Sequence, residues 1–136
     1  MVALVVAAVF CLLGLVHFYW AFGGRIGKGA AIPEADGSKA FVPSTLGTHA
    51  VGIALCFVSL IVLMRAGFLA SPFPGWLLQW AVIALAAVLF LRAVGDFKLV
   101  GFFKRVHGSQ FARLDTFVYS PLCVALGAGL TFVALN

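Results

Sequence analysis

The sequence predicts an all-α protein, a four-helix transmembrane bundle forming a single membrane domain over residues 1–136. Three observations carry this. The chain is 64% hydrophobic and 10% charged, with a mean hydropathy of +1.17. A soluble domain of 136 residues cannot hide that much apolar surface, so lipid must be its solvent. The chain also holds four apolar runs of the roughly 20 residues that a bilayer span requires. Finally, eight of its nine Lys and Arg residues lie in or beside two of the three connecting segments.

Span one is Val2–Phe22. No Lys or Arg precedes it, it exceeds the usual signal-peptide apolar region, and no small-x-small site follows a short apolar stretch. It is therefore expected to be a retained helix. A polar loop, Gly23–Pro43, follows. Its start, Gly23-Gly24-Arg25-Ile26-Gly27-Lys28-Gly29, loosely resembles a phosphate-binding loop but lacks the Gly-x4-Gly-Lys-[Ser/Thr] frame and a preceding strand, so it is not a P-loop. Span two is Ser44–Arg65, and a tight Pro/Gly turn, Ala66–Pro74, leads to span three, Gly75–Gly95. The basic loop Asp96–Leu114 mixes Phe97, Leu99, Phe102 and Phe103 with Lys98, Lys104 and Arg105, a composition suited to the headgroup layer or to a lid. Span four is Asp115–Leu135. Pro121 removes the backbone donor to the Phe117 carbonyl and is expected to kink it. All four spans are expected to be helical because a lipid-exposed backbone must satisfy its own hydrogen bonds. They are too long for barrel strands and lack strand alternation. Small residues, among them Gly14, Gly47, Gly52, Gly127 and Gly129, allow close helix approach in lipid.

Charge sets the expected orientation. Arg25, Lys28 and Lys39 lie in the first loop; Arg92, Lys98, Lys104, Arg105 and Arg113 lie at or in the third; Arg65 alone lies near the other face. The positive-inside rule then makes loops one and three cytoplasmic and puts both termini outside, in a multi-pass protein of the cytoplasmic (inner) membrane. The net charge of +5 belongs to a membrane surface. The expected partners are the bilayer and anionic lipids at the basic loops, not nucleic acid.

The polar residues of the spans gather at the same end. His17 lies five residues before the end of span one and His49 five after the start of span two. At about 1.5 Å per residue, both sit roughly 7 Å inside one boundary. Tyr19 and Trp20 share that level. Arg92 and Asp96 close span three at i,i+4 spacing; Asp115 opens span four, with Tyr119 one turn further on. Ionisable groups at this depth usually face the bundle interior and pair. His17, Tyr19, His49, Arg92, Asp96, Asp115 and Tyr119 are therefore the candidate ligand-binding residues, with His17 and His49 facing a common cavity. Structural alternatives stand beside this. Asp115 would cap the fourth helix, Arg92 would pair with Asp96 or Asp115 to fix register, and Tyr19 and Trp20 would be interfacial belt residues. Cys11, Cys56 and Cys123 fall on three different spans with no C-x-x-C, which argues for packing over thiol chemistry. No cofactor and no metal site is assigned.

The strings His17-Phe-Tyr-Trp-Ala-Phe-Gly-Gly24, Arg92-Ala-Val-Gly-Asp-Phe97, Gly101-Phe-Phe-Lys-Arg105, and Phe111-Ala-Arg-Leu-Asp115 followed by Tyr119-Ser-Pro-Leu-Cys123 resemble a bacterial family of small four-helix membrane proteins known only as a domain of unknown function. The resemblance spans almost the whole chain. It implies a four-helix membrane protein and no reaction, and no catalytic residue carries over from it.

Three functions fit the pattern. In the first, a polar cavity in the cytoplasmic leaflet binds or passes a small molecule, a lipid headgroup or a proton. A transport role would then call for a homo-oligomer, because four short helices make too narrow a bundle to enclose a wide pore. In the second, the chain is a structural membrane subunit whose polar network locks the bundle. In the third, His17 and His49 ligate haem iron or another metal in a membrane redox protein.

Overall fold

The structure is a computed structural model that describes residues 1–136. It contains four helices long and apolar enough to cross a membrane: α1 (Val2–Ala21), α2 (Thr45–Arg65), α3 (Gly75–Val94) and α4 (Gln110–Leu135). At about 1.5 Å per residue each reaches about 30 Å or more, the thickness of a hydrocarbon core.

Two helix starts differ from the sequence expectation, each for a capping reason. Helix α2 starts at Thr45 because Ser44 is its N-cap, the Ser44 hydroxyl accepting from the Gly47 N–H at 3.0 Å. Helix α4 starts before Asp115. Ser109 is the cap, its Oγ accepting from the Ala112 N–H at 3.0 Å. Asp115 therefore lies inside the helix and does not cap it. Pro121 is accommodated by a π turn over Asp115–Tyr119, in which the Ser120 N–H donates back to the Asp115 carbonyl. The wider turn absorbs the missing proline donor, and such turns often occur at functional positions.

Helices α1 and α2 form an antiparallel pair. A Cβ on Gly14 would stand 2.6 Å from Cys56 Sγ and 3.0 Å from the Gly52 carbonyl oxygen, so only glycine allows this approach. Further along, the buried Ser59 hydroxyl donates to the Ala7 carbonyl at 2.8 Å. Helices α3 and α4 pack likewise, with the Phe90 ring over Gly127. Ala3, Val6, Ala7 and Phe10 of α1, Val62 of α2, Val82 and Ala86 of α3, and Leu126, Leu130, Val133 and Ala134 of α4 make the common core. Only 27 of 136 residues are buried. Many of the other apolar residues, including Leu12, Ile53, Val88 and Phe132, face outward, as expected where lipid replaces water as solvent. At the end of the bundle away from loops one and three, Arg65 donates from Nη2 to the Ala134 carbonyl at 2.7 Å and ties α2 to the last turn of α4.

The first loop is ordered by local turns. A single 3₁₀ turn, Gly29–Ala31, precedes a two-residue hairpin, β1 (Glu34–Ala35) with β2 (Ser38–Lys39), in which Glu34 faces Lys39. Asp36 and Gly37 turn the hairpin with φ of 52° and 77°. Ala30 and Ile32 are buried beneath it.

Candidate functional site

Two constructions occupy the end of the bundle that carries loops one and three. The first centres on Asp115, which is fully buried. Its Oδ1 accepts from Arg92 Nη2 at 2.6 Å. Its Oδ2 accepts from the Gly101 N–H at 2.7 Å and from Lys104 Nζ at 3.1 Å. The Lys104 side chain is itself fully buried, and its ammonium also donates to the Gly101 carbonyl at 3.0 Å and to Thr116 Oγ1 at 2.6 Å. All three ammonium protons are thereby used, and a buried charge is tolerable only on those terms. Arg92 comes from the last turn of α3, Asp115 from the π turn of α4, and Lys104 from the third loop. One carboxylate thus clamps two helices and a loop.

The loop reaches Asp115 because Asp96 winds it. Asp96 Oδ1 accepts from the N–H groups of Lys98, Leu99 and Val100 at 2.9, 2.7 and 3.0 Å. Burial alone would raise the Asp96 pKa, but these backbone donors outweigh it and hold the carboxyl below the usual carboxylate range. Gly95 and Gly101, both at positive φ, cross each other so closely that a Cβ on Gly95 would overlap the Val100 carbonyl. Asp96 does not pair with Arg92: its Oδ1 is held by the loop backbone, and both ion pairs of the chain end on Asp115. Of the two carboxylates open to Arg92, Asp115 takes it.

The second construction is a cleft of about 340 Å³ between α1, α2 and loop one. Its walls include Trp20, Ile32, Phe41 and Val51, and its polar groups include His17, Lys28, Ser44 and Thr48. His17 Nδ1 donates to the Leu13 carbonyl at 2.8 Å, one turn back on its own helix, which leaves Nε2 as the free nitrogen. Trp20 stands edge-on to His17 at 5.1 Å and is fixed by its own N–H donating to the Ile26 carbonyl at 2.8 Å. A second cleft adjoins the first through Lys28, Ile32, Phe41 and Pro43, and adds Arg25 and Lys39 to the lining.

The remaining expected site residues lie elsewhere. His17 lines the cleft and His49 does not. His49 donates from Nδ1 to the Thr45 carbonyl at 3.0 Å and packs against Phe18 and Phe22, at 6.2 and 5.1 Å between ring centroids. Equal depth placed the two histidines at one level, but helix rotation turned them to different neighbours. Tyr19 is 45% exposed, with its ring against Gly24, outside both constructions. Tyr119 donates from its hydroxyl to the Ala30 carbonyl at 3.2 Å and so pins the 3₁₀ turn under loop one to α4. No three His, Cys, Asp or Glu side chains converge as a metal site would require.

Lys104 was not among the residues the sequence singled out. It is one of several cations in loop three, and it shares no helix with Asp115.

Residues 10–130 match a protein family described as "Protein of unknown function (DUF3995)". The chain belongs to this family. The match runs from the middle of α1 to the last turns of α4, so the clamp and the cleft both lie within the family's domain. No curated protein and no solved structure matches the chain.

Proposed function

We propose that this protein is a multi-pass membrane protein that binds an amphiphilic small molecule in the cleft between α1, α2 and loop one. The supporting observation is the cleft itself. Its volume of about 340 Å³ lies in the range of small-molecule sites, about 300–1,000 Å³. Apolar walls converge there with one imidazole, one ammonium and two hydroxyls. His17 is the expected site residue that contacts the ligand, through its free Nε2. Arg92, Asp96, Asp115 and Tyr119 hold the frame: the clamp fixes α3, α4 and loop three, and Tyr119 holds loop one over the cleft. By the positive-inside rule this end is cytoplasmic and both termini are outside.

The test uses Trp20 as reporter. Trp76 and Trp80, each 64% exposed, are replaced by Phe. The protein in nanodiscs is then titrated with a dibrominated single-chain amphiphile. Binding in the cleft gives saturable quenching of Trp20, and Val51→Phe, which fills the cleft, removes it. Quenching that only follows bulk amphiphile concentration, unchanged in Val51→Phe, would overturn the proposal.

A second reading, a structural membrane subunit, is favoured by one observation: every proton of the Lys104 ammonium and both oxygens of Asp115 are satisfied within the chain. It assigns the clamp the whole role and predicts no saturable ligand.

A further inference from the structure

We propose that the ligand of the cleft is an anionic amphiphile, with its phosphate held by Arg25, Lys28 and Lys39 and its chain lying in the apolar cleft toward His17 and Val51. The inference rests on the amphiphile reading above and names the ligand's class. Its basis is the second cleft, about 300 Å³, which Arg25, Lys28 and Lys39 line together and which opens into the first through Lys28 and Phe41.

The three cations have no carboxylate partner. Both ion pairs of the chain end on Asp115. Glu34 faces Lys39 across the hairpin yet forms no ion pair with it, and Asp36, at the turn, pairs with nothing. Lys39 Nζ instead lies over Gly29, 3.2 Å from where a Cβ would stand. That places its ammonium beside Gly29, which lines the same notch as Arg25 and Lys28. Three like charges around one notch repel each other and raise the local positive potential, and a phosphate relieves both effects. Arg25 supplies a planar fork suited to two phosphate oxygens, and the lysines supply point charges.

The geometry fits a ligand with a head and a tail. The notch is built by the loop that leaves α1, at the level of lipid headgroups. The apolar cleft descends from Ser44 to Val51 along α2, about 10 Å at the helical rise. An amphiphile entering from the cytoplasmic leaflet would keep its phosphate at headgroup depth while its first methylenes cover Trp20, Phe41 and Val51. The Gly23–Gly29 segment thus belongs to a phosphate site without being a P-loop, because side-chain cations and not backbone N–H groups make the contacts.

The same single-Trp20 protein tests this in neutral nanodiscs, with brominated phosphatidic acid, brominated phosphatidylcholine and brominated diacylglycerol compared as quenchers. Phosphatidic acid is expected to bind about tenfold or more tighter than the other two, the worth of one or two charge-assisted hydrogen bonds. In Arg25→Gln/Lys39→Gln, whose side chains have no internal partner, that preference should fall to about threefold or less while diacylglycerol binding is unchanged. If the three lipids saturate the quenching equally, the phosphate site fails and the cleft reading stands. If none saturates it, both fail. Selectivity surviving in the double variant overturns the assignment to these residues. Inorganic phosphate or glycerol 3-phosphate added alone separates the sources. Displacement of phosphatidic acid by either at comparable affinity would make this a soluble-phosphate site and overturn the amphiphile assignment. Competition that is at least about a hundredfold weaker supports it.

Discussion

Replacing Asp115 by Asn keeps the shape of the side chain and one acceptor but removes the charge that two cations share. Lys104 suffers most. Its side chain is fully buried, and after the change it keeps only the Gly101 carbonyl and Thr116 Oγ1 as acceptors, with no counter-charge. Arg92 is 31% exposed at its side chain and can recover part of its hydration. Its Nη1, already buried without a partner, gains nothing. Breaking a buried pair from one side typically costs about 3–5 kcal/mol because it strands the other charge. In a chain of this size that corresponds to a loss on the order of 10 °C in Tm. Lys104→Met should cost less, because Asp115 retains Arg92 and the Gly101 N–H, and the replacement fills similar volume. The double variant Asp115→Asn/Lys104→Met should be closer to wild type than the sum of the two, because the stranded ammonium is gone. The assay is thermal unfolding in detergent, followed by loss of the monodisperse elution peak. Both single variants unfolding within about 2 °C of wild type would show that the clamp is not a buried charge centre and would refute the reasoning.

Three further outcomes follow from the packing. Gly14→Val should destabilise the protein by about 1–3 kcal/mol, because the new side chain meets the Gly52 backbone, whereas Gly75→Ala, where nothing lies within 4 Å, should be neutral in the same melting assay. The Asp96 carboxyl titrates below its ordinary value of 3.8; a lowered folded pKa means that its stabilisation of loop three is complete above that value and is lost as pH falls through the lower one, so the amide shifts of Lys98, Leu99 and Val100 should move with a midpoint below 3.8 and become insensitive to acid in Asp96→Asn. Reporter fusions at Asn136 should be active only outside the cytoplasm, and cytoplasmic activity would reverse the proposed orientation.

The four helices were legible because lipid makes a simple demand: long apolar runs with the charges at one end. That Arg92 would meet a carboxylate was legible for the same reason, but the choice of Asp115 over Asp96 was not, since both lie at one depth. Lys104 was not, because it arrives from a loop whose path depends on Asp96 capping three amides and on Gly95 and Gly101 crossing. That is a tertiary arrangement with no periodic trace. The histidines show the other limit. Depth along a helix can be counted from the sequence, but rotation about its axis depends on which neighbour each face meets. A nearly uniform apolar helix carries little information on that. His17 faces the cleft and His49 faces Phe18 and Phe22 because Gly14 and Gly52 set how α1 and α2 approach. The cleft was hidden as well: Trp20, Ile32 and Phe41 lie on different segments, and the fold of loop one brings them together.

The most direct test of the account is photocrosslinking from the cleft in native membranes. A benzophenone amino acid is placed at Val51, which lines the cleft, or at Ile53, which is exposed on the same helix but does not line it. The adducts are identified by mass spectrometry. One dominant anionic amphiphile is expected at Val51 and a spread matching bulk lipid at Ile53. Identical adduct spectra at the two positions would mean that the cleft holds no ligand of its own, and would contradict the account.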